Sequence, residues 1–234
     1  MAFAAGAILP ASGSALRHKF PARDRLYLWY WLKYSASWVG RGAHEIYFTT
    51  TADGDHIGPP ATPLTGYVVH VYRQGGIHHL SFTDALKIDV TKISTHLVGQ
   101  TELRSIAGCN RNGDAYQTVC DALGGGWRND RACEASHPWF TNTPGPGYKN
   151  AWHQIESYVQ LNSIQDGVGV ADGIARYWFD GRLVLDKRNV LLRTGANPNM
   201  KFTQFLVALY IAAGATAAYT KWVDDLVIAT GPVP

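Results

Sequence analysis

Residues 152–162, WHQIESYVQLN, alternate with a period of two, and that period belongs to a β-strand. Trp152, Gln154, Glu156, Tyr158, Gln160 and Asn162 fall on one side, and His153, Ile155, Ser157, Val159 and Leu161 on the other. The second set is mostly apolar and belongs against a core. The first is a row of aromatic and hydrogen-bonding groups about 7 Å apart along one side of a strand. A chain built on this rhythm folds into sheets.

The rhythm recurs. The run RLYLWYWLKY from Arg25 is apolar on both faces and predicts a central strand. HEIYFTT from His44, YVVHVY from Tyr67 and the stretch from His78 to Phe82 predict three more, the last two parted by the Gly75-Gly76 turn signal. LVGQTELR, residues 97–104, is a further candidate. Later come IARYWFD, closed by the hairpin signal Asp180-Gly181, then strands near residues 182–185, 190–193, 200–210 and 219–230. This is about ten to twelve strands with no helix, the pattern of an all-β antiparallel sandwich or jelly roll. Residues 1–24 read as an irregular lead-in and residues 25–234 as one domain, a length that a single sandwich can fill.

Residues 105–151 break the pattern and read as a long loop insertion, which in a compact domain is usually functional or cross-linked. They hold all three cysteines, Cys109, Cys120 and Cys133, with no C-x2-C spacing for zinc. One disulfide plus one free thiol is the economical reading. Cys120–Cys133 is the candidate pair, Cys109–Cys120 closes a loop just as small, and three reduced cysteines are the third alternative.

Lysine and arginine number 21 against 18 acids, a net charge of +3 with no basic cluster, which gives no footing for nucleic acid as a partner. No stretch is long and apolar enough for a membrane span. The small apolar start, residues 1–16, lacks a basic n-region and reads as a trimmed secretion signal or a flexible lead-in. No phosphate loop, dinucleotide fingerprint, G-x-S-x-G elbow or H-E-x-x-H motif is present.

The row on residues 152–162 suits a sugar chain. Amides and carboxylates bond hydroxyls, and aromatic faces stack on the C–H faces of the rings. A plain solvated face would carry Lys, Thr and Ser in place of Trp and Tyr. Glu102 and Arg104 share a face of their strand, as a structural ion pair or as a receiver for a substrate carboxylate. His70 stands between Val69 and Val71 and is either a satisfied strand histidine or a general base, and His44 beside Glu45 has the same two readings. Asp224 and Asp225 sit together inside the apolar run WVDDLVI, pointing to opposite faces, so at least one needs a partner. Calcium is a natural one, and a hydrogen bond or an arginine is the alternative.

With these residues placed, the C-terminal half resembles bacterial proteins of the concanavalin-A-like lectin/glucanase superfamily. The carrying runs are WHQIESYVQLN, ADGIARYWFDGRLV, LLRTG, MKFTQFLVALYIAAG and WVDDLVIA. With LYLWYWLKYSASW and HEIYFTT the resemblance covers about two thirds of the chain. It implies a jelly roll, placed outside the cytoplasm, of a group holding alginate- and glucuronan-type lyases, β-glucanases and non-catalytic lectins. Thr101–Arg104 is similar to the lyases' Arg-x-Glu-Leu-Arg strand, but Gly99 and Gln100 precede it and the first Arg is missing. The lyases' Gln-x-His and Tyr-x-Lys-x-Gly strands are not clearly matched. The glucanase Glu-x-Asp-x-x-Glu signature is absent, which disfavours a retaining glycosidase with its two close carboxyls. The resemblance also implies a structural calcium held by a late aspartate, Asp224 or Asp225.

Three functions follow as expectations. In the first, the chain cleaves an acidic polysaccharide by β-elimination. Arg104 and Gln154 neutralise the uronate, Tyr158 or His70 serves as base and acid, and Trp152, Glu156, Gln160, Trp178, Arg176 and Glu102 hold the sugar. In the second it is a glycan-binding module without catalysis. In the third it is a structural or adhesive surface protein.

Overall fold

The structure is a computed structural model that describes residues 1–11, 16–38, 43–49, 66–74, 77–83, 140–170, 172–190, 198–199, 201–207 and 214–232. Among the described residues there are thirteen strands and no helix. They are β1 (Ala2–Phe3), β2 (Leu16–Arg23), β3 (Arg25–Tyr34), β4 (Ala43–Thr49), β5 (Gly66–Gln74), β6 (Ile77–Thr83), β7 (His153–Gln160), β8 (Ile164–Gln165), β9 (Val168–Gly169), β10 (Gly173–Phe179), β11 (Arg182–Val190), β12 (Phe202–Val207) and β13 (Tyr219–Ala229). A six-stranded sheet runs β1-β13-β3-β7-β10-β11, a five-stranded sheet runs β2-β12-β4-β5-β6, and β8 and β9 form a small hairpin. Every pairing among these thirteen strands is antiparallel. The all-β sandwich expected from the alternating segments is the fold.

The core lies where the two sheets face each other. From the six-stranded sheet come Leu26, Leu28, Tyr30, Leu32 and Tyr34 of β3, Ile155 and Val159 of β7, Ala175 and Tyr177 of β10 and Leu185 of β11. Phe202, Phe205 and Val207 of β12 meet them from the other sheet. Burying one such side chain contributes about 1.5–3 kcal/mol. In β7 the odd-numbered residues are buried and the even-numbered ones only half so, which is the expected period of two.

The turns follow from chemistry. Asp180 and Gly181 both have positive φ, 44° and 75°, as a two-residue hairpin that matches strand twist requires. Asp166 and Gly167 do the same between β8 and β9, at 50° and 78°. Gly214, at φ 72°, sits where a Cβ would lie 2.7 Å from the Gly6 carbonyl oxygen, so only glycine fits.

Two expectations are corrected. Residues 1–24 are not an irregular lead-in. Phe3 of β1 is buried and stacks on Tyr219 at 4.6 Å, and β2 pairs with β12 through Arg17↔Leu206 and His18↔Phe205. Strand β2 is an edge strand, largely exposed and carrying Pro21, so it lacks the apolar alternation that marks a half-buried strand. The end of the expected loop insertion is also part of the packed body. Phe140 is fully buried against Tyr34 and Trp38, and buried Lys149 donates to the Trp38 carbonyl and, at 2.9 Å, to Asn142 Oδ1. Cys109, Cys120 and Cys133 lie outside the described residues.

Lys221 of β13 points inward and is fully buried, its Nζ 5.9 Å from the centre of the Tyr34 ring. Burial pulls its pKa down from the ordinary 10.5 to about 7. Between those values the unfolded chain holds the proton and the folded chain does not, so stability rises with pH across that window. Urea unfolding from pH 7 to pH 10 is expected to show a steeper gain for the wild type than for Lys221→Met; equal slopes would contradict the assignment.

Candidate functional site

The face of the six-stranded sheet turned away from the core carries the side chains that alternate with the buried ones. Strand β3 sends Leu26, Leu28, Tyr30, Leu32 and Tyr34 inward, which leaves Arg25, Tyr27, Trp29, Trp31 and Lys33 on the outer face. Strand β7 contributes Gln154, Glu156, Tyr158 and Gln160, and β10 contributes Ile174, Arg176 and Trp178.

Register assembles these into cross-strand rows. One row is Asp224–Trp31–Gln154 and the next is Val227–Trp29–Glu156–Trp178. Then come Ala229–Tyr27–Tyr158–Arg176–Asp186 and Arg25–Gln160–Ile174. Neighbouring strands lie about 4.8 Å apart, so β13 to β11 makes a surface about 19 Å across. Trp29 and Trp31 meet edge to face with ring centroids 6.1 Å apart, and the Lys33 ammonium lies over the Trp222 ring at 5.5 Å. These contacts hold the rings in fixed poses with one edge or face still open.

The polar groups are tied down as well. The Tyr27 hydroxyl donates to Glu156 Oε2, and Tyr158 donates to Gln160 Oε1 at 2.7 Å. Burial, then the Glu156 hydrogen bond and its charge, push the Tyr27 phenol well above its ordinary 10, so it stays protonated and is a poor base. Arg176 Nε donates to Asp186 Oδ1 at 3.0 Å, and Arg188 reaches both oxygens of the same carboxylate at 3.1–3.3 Å.

The end of the platform is pinned by Asp180. Its Oδ1 accepts the Gln154 amide at 2.9 Å, and its Oδ2 lies 2.8 Å from His153 Nδ1. His153 Nε2 is 2.9 Å from the Tyr148 carbonyl, and the imidazole stacks on Phe179 at 4.6 Å. His153 thus turns inward as a structural residue, with Gln154 the outward neighbour.

The sequence-predicted residues divide accordingly. Gln154, Glu156, Tyr158, Gln160, Arg176 and Trp178 come together on one face. Trp152 is 42% exposed but precedes β7 and has no place in a row. Asn162, expected on the same side, is buried beyond the strand end. His70 does not join them. It lies on β5 of the other sheet, in register with His44 and Ser81. Glu102 and Arg104 lie outside the described residues. Gln154 and Tyr158 are four residues apart on one strand, about 14 Å, too far to serve the same sugar unit.

Asp224 and Asp225 are both exposed, which removes the burial that argued for a metal partner. Asp225, at φ 49°, is in the β-bulge between Asp224 and Val227, and its amide donates to Asp224 Oδ1 at 3.0 Å. The bulge absorbs the second acid, so the two are not opposed residues of a regular strand. Among the described residues, no three His, Cys, Asp or Glu side chains group to hold a metal ion. No helix among them is long and apolar enough to cross a membrane.

Sequence reasoning missed Tyr27, Trp29 and Trp31, because RLYLWYWLKY looks apolar on both sides. The signal was there: Arg25 and Lys33 share their parity, and two charges on one side mark that side as outward. Asp186 was missed because its partners come from a neighbouring strand and from its own.

No protein-family model matches the sequence, and no curated protein matches it. Solved structures share its fold. An alginate lyase, Aly36B, in a mutant form with an alginate tetrasaccharide, aligns with a TM-score of 0.59 at 13% identity, covering 100% of this chain and 80% of that one. The alginate lyase vAL-1 from Chlorella virus aligns at 0.57 and 8% identity, covering 98% and 83%. The endo-beta-1,4-glucuronan lyase from Trichoderma reesei aligns at 0.50 and 14% identity, covering 93% and 74%.

Removing the Tyr27 hydroxyl tests the local geometry. Tyr27→Phe leaves Glu156 without that donor and is expected to cost about 1.5 kcal/mol in urea unfolding. Unchanged stability would show that the pair does not form.

Proposed function

We propose that the protein acts on an acidic polysaccharide by lyase-type β-elimination, with the outer face of the six-stranded sheet as its sugar platform. The observation that carries this is the set of rows from β3, β7 and β10, which put tryptophans, amides, carboxylates and a guanidinium on one sheet face. Stacking and hydroxyl bonding are the two contacts a sugar chain offers, and both are present over several strand widths. The fold shared with alginate and glucuronan lyases along nearly the whole chain favours the same class of polymer.

In β-elimination the substrate carboxylate is neutralised, a base takes the proton from carbon 5, and the bond from carbon 4 to the glycosidic oxygen breaks. The electron pair forms a double bond between carbons 4 and 5, and an acid protonates the departing oxygen. Tyr158 is the proton-transfer group, at the centre of the platform and half-exposed. Gln154, two rows along, bonds a neighbouring sugar. Glu156, fixed by Tyr27, accepts from hydroxyls between Trp29 and Trp178.

A second reading, glycan binding without cleavage, has its own observation. Among the described residues no histidine lies on this face, so it lacks the side chain that most often moves protons near neutral pH. Calcium at Asp224 or Asp225 and secretion stand as proposals beside this reading.

Incubation with alginate, polyglucuronate and pectin is expected to raise the ultraviolet absorbance of the unsaturated product on at least one of them. Tyr158→Phe should lower kcat about 10²–10⁴-fold with a smaller change in KM. Binding with no absorbance rise on any polyuronate would replace the lyase reading with the second one.

A further inference from the structure

We infer that Arg176 is the residue that receives the substrate carboxylate, so that the platform selects uronate units and presents them to Tyr158. This rests on the proposed polysaccharide reading and names the group that the reading lacks, since Gln154 is too far from Tyr158 to neutralise the same sugar.

The placement is direct. Arg176 is the cross-strand partner of Tyr158, and directly opposed residues share a face with their Cβ atoms about 4.5–5.5 Å apart. A ligand bound at one side chain therefore lies within reach of the other. Both sit in the middle of the row that runs from Tyr27 to Asp186.

The orientation of the guanidinium is set from behind. Arg176 Nε donates to Asp186 Oδ1 at 3.0 Å, the only hydrogen bond of its side chain among the described residues. Among the described residues the two terminal amino groups take no further partner. They form the planar fork that matches a carboxylate with two parallel hydrogen bonds. With 26% of the side chain exposed, the group is partly dried and still reachable.

The charge balance separates a receptor from a structural pair. One acid, Asp186, contacts two guanidinium groups, because Arg188 also grips both of its oxygens. The Arg188 hydrogen bond, together with that of Arg176 and against the opposing effect of burial, holds the Asp186 carboxyl below its ordinary range. The trio thus carries two positive charges and one negative. A cross-strand pair built for stability needs only one arginine; the second gives the trio a net positive charge in the row that holds Tyr158, one row from the Glu156 carboxylate. Neutralising a uronate carboxylate there would make its carbon 5 proton easier to remove, and a neutral glucan would leave the positive charge unmatched.

Binding to a polyuronate and to the same polymer with its carboxyls reduced to alcohols tests this, by calorimetry at two salt concentrations. The wild type is expected to prefer the acidic polymer about tenfold or more. Arg176→Gln, close in size, should lose that preference and bind the two polymers with equal affinity. Arg176→Lys should keep the salt dependence and lose part of the preference, since it keeps the charge without the fork. Circular dichroism and melting curves of both variants report that the strand is intact, and the lysine variant carries the test if the glutamine variant does not fold. A wild-type preference that survives in both variants overturns the role of Arg176 alone. A wild type that binds the two polymers equally also overturns it, and leaves glycan binding standing. A wild type that binds neither overturns the polysaccharide reading and this inference with it.

Discussion

Strand β7 is held between β3 and β10, and its register with both neighbours decides which side chains meet on each side of the sheet. Ile155, Val159 and Ser157 go inward with Tyr30, Leu26 and Leu28 of β3. Glu156 and Tyr158 go outward with Trp29 and Tyr27 on one flank and Trp178 and Arg176 on the other. A slip of one residue would turn the polar row into the core and expose the apolar one, so the buried set pins the outer rows in place. The platform is a consequence of core packing.

The ends of these strands receive a second set of constraints. Asp180 begins the hairpin between β10 and β11 and reaches back to the Gln154 amide and the His153 ring. His153 in turn holds the Tyr148 carbonyl and lies against Phe140 and Phe179. One carboxylate thus couples a turn, the first residues of β7 and the segment entering it. Positioned on strands that are buried behind and pinned at one end, the outward groups lose little freedom when a ligand arrives, which favours binding.

The all-β architecture was legible because period-two alternation survives in half-buried strands, and β7 is the clearest case. The strand from Arg25 to Tyr34 was legible as central, but its division into two faces was not, since Trp and Tyr serve equally in a core and on a sugar-facing surface. Strand β2 escaped because an exposed edge strand has no need of an apolar face. More than half of the candidate site was visible: Gln154, Glu156, Tyr158, Gln160, Arg176 and Trp178 follow from alternation alone. The neighbours Trp29 and Asp186 required register, a property of strand pairing that local pattern does not encode. Asp224 and Asp225 misled for a related reason. Alternation counts residues, and a bulge changes the count, so two acids read as opposed side chains lie together in the open.

A crystal structure with a bound uronate oligosaccharide tests whether the sugar lies on the outer face of the six-stranded sheet. The expected result is sugar rings across the β3–β7–β10 rows, stacked at Trp29 or Trp178, with a carboxylate within hydrogen-bond distance of Arg176. Density confined to the five-stranded sheet, beside the strands that carry His44 and His70, would contradict it.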